Sequence, residues 1–226
     1  MSDCQNIMLA GVALVADGSG ALWWPEARLL CVADLHFGKS ERLARRGGPL
    51  LPPYETRETL DRLAAAIRRY APATVVCLGD SFDDDAAVLD PGDTARLGAL
   101  AAGRDWVWIA GNHDPRPRAL AGSWCDELRR DPLTFRHEAR PDAETGEVSG
   151  HYHPKIRVAL KGARLSRPCF LLDARRLILP AFGAFTGGLD ARAPALRALL
   201  RCPAQAILTG SPCVRLPLTG ALAGAS

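Results

Sequence analysis

Val32-Ala33-Asp34-Leu35-His36 is the stretch from which the rest of the chain is read. It closes an apolar run, Arg28-Leu29-Leu30-Cys31-Val32, that reads as a buried strand. A carboxylate and an imidazole, two residues apart, then stand at the strand's end. The carboxyl ends of strands are where α/β proteins form ligand crevices. Neither group belongs in a core without a partner. Together they offer the mixed oxygen and nitrogen donors that suit a divalent cation.

The arrangement recurs along the chain. Thr74 to Leu78 is rich in β-branched residues and runs into Gly79-Asp80-Ser81-Phe82-Asp83-Asp84-Asp85; Trp106 to Ala110 runs into Gly111-Asn112-His113-Asp114. Between the strands, Glu55 to Tyr70 carries Leu60, Leu63, Ala64 and Ile67 at helical spacing and is stopped by Pro72, and Thr94 to Ala102 reads as a second helix. Helices between strands imply a parallel, layered α/β sheet. Upstream, Ile7 to Val15 reads as one strand broken by Gly11, and Ala21 to Trp24 pairs with Arg28 to Ala33 as a hairpin. Phe37 to Arg46 is short, basic and partly helical. Beyond Pro117 come short strands at Leu133–His137, Glu147–Gly150, Ile156–Leu160, Arg167–Leu172 and Arg176–Leu179, separated by turn residues as in an antiparallel sheet. Pro194 to Leu200 is helical and Ala204 to Leu208 a strand. Residues 1–218 are expected to form a single domain, with 219–226 a flexible tail of small residues.

With 226 residues, 48% hydrophobic and 23% charged, the chain has an ordinary globular composition. A formal charge of +3 is too small to argue for nucleic acid by itself. The seven cysteines are scattered, with no Cys-x-x-Cys pair, which fits a reducing compartment better than a disulfide framework. The amino terminus lacks a signal-peptide pattern, and no apolar stretch approaches the ~20 residues of a membrane span. The expected location is cytoplasmic, with no membrane contact.

The five histidines are His36, His113, His137, His151 and His153. With Asp34 and Asp80 they supply two mixed nitrogen/oxygen donor sets containing no thiolate. The physical reading is a pair of divalent cations bridged by a carboxylate.

These motifs closely resemble those of the calcineurin-like metallophosphoesterases: Asp-x-His, Gly-Asp-x-x-Asp, Gly-Asn-His-Asp/Glu, a lone His and Gly-His-x-His. All five stand here in that order between residues 34 and 153. Gly79 to Phe82, Trp106 to Asp114, Gly150 to Lys155 and Leu179 to Leu189 further resemble the bacterial ligase-associated DNA-damage-response endonucleases. Phe37-Gly38-Lys39-Ser40 departs from their pattern, since an acidic residue is expected before Lys39 and Gly38 stands there.

The resemblance implies a four-layer α/β-β/α sandwich of two mixed β-sheets flanked by helices. It implies one metal held by Asp34, His36, Asp80 and His153, and a second by Asp80, Asn112, His137 and His151, with Asp80 bridging through two free oxygens. Manganese is the preferred ion, with iron, zinc or nickel as alternatives. Two cations about 4 Å apart can share a hydroxide that attacks phosphorus in line. His113 is then the acid for the leaving oxygen, or a donor to the transition state, and Asp114 orients it through its other nitrogen. Lys39, Arg116 and Arg157 are candidate phosphate contacts. Asp83, Asp84 and Asp85 read as a solvated acidic loop rather than as extra ligands, although Asp83 occupies the superfamily's second Asp position, where that residue supports the site. The implied partners are a phosphodiester, DNA included, with functional association to DNA ligase and helicase repair proteins and a homodimer as the oligomer.

The function that follows is a metal-dependent phosphodiesterase or endonuclease associated with DNA repair. The alternatives are a non-catalytic scaffold that keeps the fold and binds partners, or a small-molecule (nucleotide) phosphoesterase. A protein phosphatase is disfavoured because Asp84 stands where those relatives place an Arg. Haloacid-dehalogenase chemistry is disfavoured because position 36 is His, leaving no Asp-x-Asp nucleophile.

Overall fold

The computed structural model of the protein describes residues 3–45, 47, 54–84, 86–114, 120–160 and 163–218. Strand β4 (Leu29–Val32) is buried along its length, and its side chains divide between two cores. Leu29 and Cys31 join a cluster with Ile109, Phe135, Val148 and Leu179. Leu30 and Val32 join another with Leu60, Ile67 and Trp108. This is the period-two alternation of a strand covered on both faces. β4 pairs in parallel with β5 (Thr74–Leu78), and β5 with β6 (Asp105–Ile109). Helices α1 (Lys39–Arg45) and α2 (Glu55–Tyr70) make the first crossover and α3 (Pro91–Ala101) the second. Leu60, Leu63, Ala64 and Ile67 form the buried stripe of α2. Burying the three large ones contributes roughly 5–9 kcal/mol before entropy is counted.

The first sheet is completed by β1 (Cys4–Leu9), β2 (Val12–Asp17) and β3 (Leu22–Trp24) on one side and β7 (Ser123–Cys125) on the other. The second sheet runs β15 (Val214–Pro217), β14 (Gln205–Leu208), β12 (Ala163–Leu172), β13 (Arg176–Ile178), β10 (Glu147–Ser149), β9 (Leu133–Arg136), β8 (Glu127–Arg130), with β11 (Lys155–Leu160) paired to β12. The cluster containing Leu29 and Cys31 also holds Phe170, Leu177 and Ile207, so it fills the space between the sheets. A third cluster packs Leu196 and Leu199 of α4 (Pro194–Leu199) on Cys169, Leu171 and Ile178. The layers are helix, sheet, sheet, helix, the architecture expected.

Four details differ from the sequence reading. Ile7 to Val15 is a hairpin, not one strand: Ala10 and Gly11 both take positive φ, 49° and 80°, and turn the chain so that Leu9 faces Val12. Helix α3 begins at Pro91, because the Asp90 carboxylate accepts the Asp93 N–H at 2.8 Å and proline suits the first helical position. The strands beyond Pro117 do not form the purely antiparallel sheet that their turn-separated spacing suggests: the second sheet is mixed, as the resemblance implies, with β9 and β13 both parallel to β10. Strands β7, β8 and β15 were not anticipated. Arg116, Asp85 and the tail at 219–226 lie outside the described residues. No helix among the described residues is long and apolar enough to cross a membrane.

Candidate metal centre

Every motif begins where a strand stops. β4 delivers Asp34 and His36, β5 delivers Asp80 and Asp83, β6 delivers Asn112 to Asp114, β9 delivers His137, and β10 delivers His151 and His153. The two sheets therefore face each other with their ligand-bearing ends together. Local backbone geometry is unusual there. Asp34, His36, Asp80, His151 and His153 all have φ between 46° and 70°. Left-handed backbone at a non-glycine residue costs on the order of 1–3 kcal/mol, and such residues cluster at functional sites. The motif glycines have a steric reason. A Cβ on Gly79 would lie 2.5 Å from the His137 ring, and one on Gly111 2.2 Å from Asp80.

Three donor groups result among the described residues, one of which, His36 with Asp83 and His113, shares His36 with the first of the two described next. Asp34, His36 and His153 bring ligand atoms within 4.8 Å of one another, and so do Asp80, His137 and His151. In the first, His36 Nε2 faces His153 Nε2 at 3.3 Å, and Asp34 Oδ1 lies 3.4 Å from His153 Nε2. In the second, His137 Nε2 lies 3.1 Å from His151 Nδ1, 3.4 Å from Asp80 Oδ2 and 2.9 Å from Asn112 Oδ1. Asp34 Oδ1 is also 3.8 Å from His137 Nδ1, so the groups adjoin. Imidazole nitrogens and carboxylate oxygens aimed at a common point fit a divalent cation, which accepts this donor set.

The rings are oriented from behind. His137 Nδ1 donates to the Leu78 carbonyl at 2.9 Å, which leaves Nε2 for a cation. His36 Nδ1 contacts Asp83 Oδ1 at 2.8 Å, and Arg42 Nε donates to the other Asp83 oxygen. Asp83 is 1% exposed, so it is no solvated loop residue. It forms a guanidinium–carboxylate–imidazole relay that fixes the His36 ring. Burial opposes its charge, yet the His36 and Arg42 contacts bring its pKa down to about 2. Asp84 pairs with Arg45 at 3.0 Å near the surface. Asp83→Asn is expected to weaken cation binding about 10–100-fold by titration calorimetry, the range for partners of ligating histidines. Asp84→Asn should change it by less than about fivefold, as for exposed ion pairs.

Two expectations need correcting. Asp114 does not orient His113. It is fully buried, and its carboxylate accepts the N–H groups of Ser81 (2.8 Å), Phe82 (3.1 Å) and Gly111 (3.1 Å), tying the β5 and β6 loops together. Burial raises its pKa to about 6 against those bonds. His113 Nδ1 instead meets the Asp83 carbonyl at 2.8 Å. The Asp80 oxygens are also not both free: Oδ1 accepts the His113 N–H at 2.8 Å. A carboxylate oxygen has two lone-pair sites, so one remains for a cation.

Without cations, Asp80 and His137 act as a pair. Burial disfavours both charges, but their hydrogen bond and attraction win: Asp80 falls to about 2 and His137 rises to about 9. His137 must therefore lose a proton to bind a cation. The expected result is an apparent affinity that falls by up to about tenfold per pH unit below pH 9, with one proton released at pH 7. Calorimetry in buffers of different ionisation enthalpy measures that proton.

The rim is cationic. Lys39 begins α1, half-buried; burial lowers its pKa and Asp83 opposes the change. Lys155, which the sequence reading did not single out for substrate, donates to the Thr186 carbonyl at 2.8 Å. Burial lowers its pKa, and repulsion from Lys39 and Arg157 lowers it further. Arg157 is exposed on β11. Asn112 is exposed and His113, His151 and His153 are half-buried, so the centre opens to solvent.

The sequence model of the calcineurin-like phosphoesterases matches residues 27–163. The crystal structure of Pseudomonas putida nuclease MPE aligns with 31% identity and a TM-score of 0.73, covering 95% of this chain and 100% of that one. No curated protein matches the sequence.

Proposed function

The chain belongs to the calcineurin-like phosphoesterases, hydrolases of phosphoric esters that depend on metal, and from that premise we propose that it is a phosphodiesterase that cuts DNA during repair. The observation that carries this reading is the pair of adjoining donor groups at an open, cation-rimmed cleft. Asp34, His36 and His153 would hold one divalent cation, His137, His151 and Asn112 the other, and Asp80 both. Two such cations, manganese foremost, supply Lewis-acid charge and a water ionised near neutral pH. The alignment with a nuclease favours a nucleic-acid substrate over a nucleotide. Association with ligase and helicase repair proteins and a homodimeric state belong to the same proposal, as does a cytoplasmic location.

The chain's own groups divide the remaining work. Lys39, Lys155 and Arg157 attract and orient the phosphodiester. His113 has Nδ1 committed to the Asp83 carbonyl. In its imidazolium form Nε2–H is the proton left to give to the departing oxygen. Loss of a positioned acid costs typically 10²–10⁴ in rate, most when the leaving group is poor. His113→Ala should thus retain cations and lose about that much turnover on an alkyl diester. Unchanged turnover would remove His113 from the reaction.

The decisive assay compares a chromogenic diester, a monoester, and single-stranded and duplex DNA across metals, with a chelator as blank. Metal-dependent release from the diester and from DNA is expected. A chain that binds cations and cleaves none of these is a scaffold.

A further inference from the structure

Five large hydrophobic side chains are exposed among the described residues, and three of them, Tyr54, Phe185 and Leu189, lie on segments that border the cleft. Tyr54 precedes α2. The next residue, Glu55, accepts the Ser40 N–H at 3.3 Å and the Ser40 hydroxyl at 3.0 Å, which docks it on α1 beside Lys39. Phe185 lies on the segment 183–189. Gly183 N–H donates to the Asp34 carbonyl at 3.1 Å and Leu189 N–H to the Tyr152 carbonyl at 3.3 Å. That segment therefore spans from one ligand motif to another, and Lys155 Nζ is bonded to it at Thr186.

The two rings meet edge to face, with centroids 6.3 Å apart. Phe185 is 45% exposed and Tyr54 54%. Phe185 also has φ of 55°, a conformation that bulky residues avoid. A strained backbone that leaves nearly half of a phenylalanine in solvent gains little from burial, so its reason is sought in what the ring faces. One side of Phe185 borders an open cavity of about 250 Å³ shared with Lys155, Thr186, Arg62 and Glu58, where Arg62 also donates to the Ser19 carbonyl at 2.7 Å and Lys155 is the cation bonded to the ring's own segment. An aromatic face beside ammonium and guanidinium groups is the combination that holds a base and its phosphate.

We propose that Tyr54 and Phe185 form a stacking platform for a nucleobase of the phosphodiester substrate, next to the phosphate held by Lys155. This rests on the phosphodiesterase reading and adds two specificity residues to it. The platform grips any base through its π-face, so it favours unpaired nucleic acid without selecting sequence.

The test uses the full chain in chelator, so that nothing is cleaved. Fluorescence anisotropy compares labelled oligothymidylate with an abasic oligomer of equal length. The unaltered protein is expected to prefer the base-bearing strand by about tenfold or more, in line with one stacked base. Tyr54→Ala/Phe185→Ala should bring the ratio close to one, and Phe185→Trp should preserve it. Both side chains are exposed, so these variants are expected to fold. Equal affinities in the unaltered protein, or a preference that survives the double substitution, would overturn the platform. Hydrolysis of methyl p-nitrophenyl phosphate, which carries no base, reports separately. Its absence in metal sinks the phosphodiesterase reading while the base preference stands.

Discussion

Asp80→Asn is expected to reduce metal-dependent turnover about a thousandfold and to leave fewer than two cations per chain. The argument starts from charge. Under the proposed assignment Asp80 is the anion common to both donor groups, and an amide in its place supplies one neutral oxygen. Lewis-acid stabilisation of a phosphoryl transition state is worth several kcal/mol, and each 1.36 kcal/mol is about tenfold in rate. The same substitution has a signature in the metal-free protein. His137 stands at about 9 because its hydrogen bond and attraction to Asp80, with help from Asp34, outweigh the burial that lowers it. Removing the Asp80 charge should drop the His137 pKa toward its usual value, measurable by NMR titration. Elemental analysis gives the cation count. Two tightly held cations in Asp80→Asn would refute the bridging role, whatever the rate.

The donor groups were legible because each ligand is written next to the strand that aims it. Asp34 and His36 follow β4, and Asn112 follows β6, so a pattern one residue wide carries both identity and position. What lay behind them was not legible. Asp114 adjoins His113 in sequence and invites a pairing. Yet a fully buried carboxylate needs several donors, and the nearest are the amides of Ser81, Phe82 and Gly111. Asp83 reads as part of an acidic run, and its motif position implies a supporting role without saying what it supports. Its partner Arg42 is 41 residues away in sequence, and nothing in a local pattern states that α1 folds back over the β5 loop. The parallel pairing of β9, β10 and β13 is absent from the local pattern for a related reason, and only the resemblance implied a mixed second sheet. Parallel pairing is usually announced by an intervening helix, and here the segments between β9 and β10 and between β13 and its parallel neighbour contain no α-helix among the described residues.

Glu147→Gln is expected to lower stability by about 3–5 kcal/mol, a fall in melting temperature of roughly 6–20 °C for a chain this size. Glu147 and Arg176 are each 1% exposed. Glu147 Oε1 lies 3.4 Å from Arg176 Nη1, and Oε2 receives Arg136 Nη1 at 3.1 Å and the Arg140 N–H at 3.0 Å. One carboxylate thus answers two guanidinium groups behind the second sheet. The attraction need not exceed what dehydrating the ions costs, so the network is weak evidence of net stabilisation. Removing only the anion is another matter, because Arg176 cannot shed its proton and stays charged in the core. Glu147→Gln/Arg176→Met should accordingly regain most of the loss, and chemical denaturation of the single and double variants measures the difference. The position ties this cost to the cleft. Arg136 immediately precedes His137, and Glu147 opens β10, which leads to His151. Loosening this pair should therefore also weaken cation binding, by displacing two imidazoles that belong to the same donor group. A Glu147→Gln protein as stable as the unaltered one would mean that water reaches Arg176, and that the strands carrying those imidazoles are held by apolar packing alone.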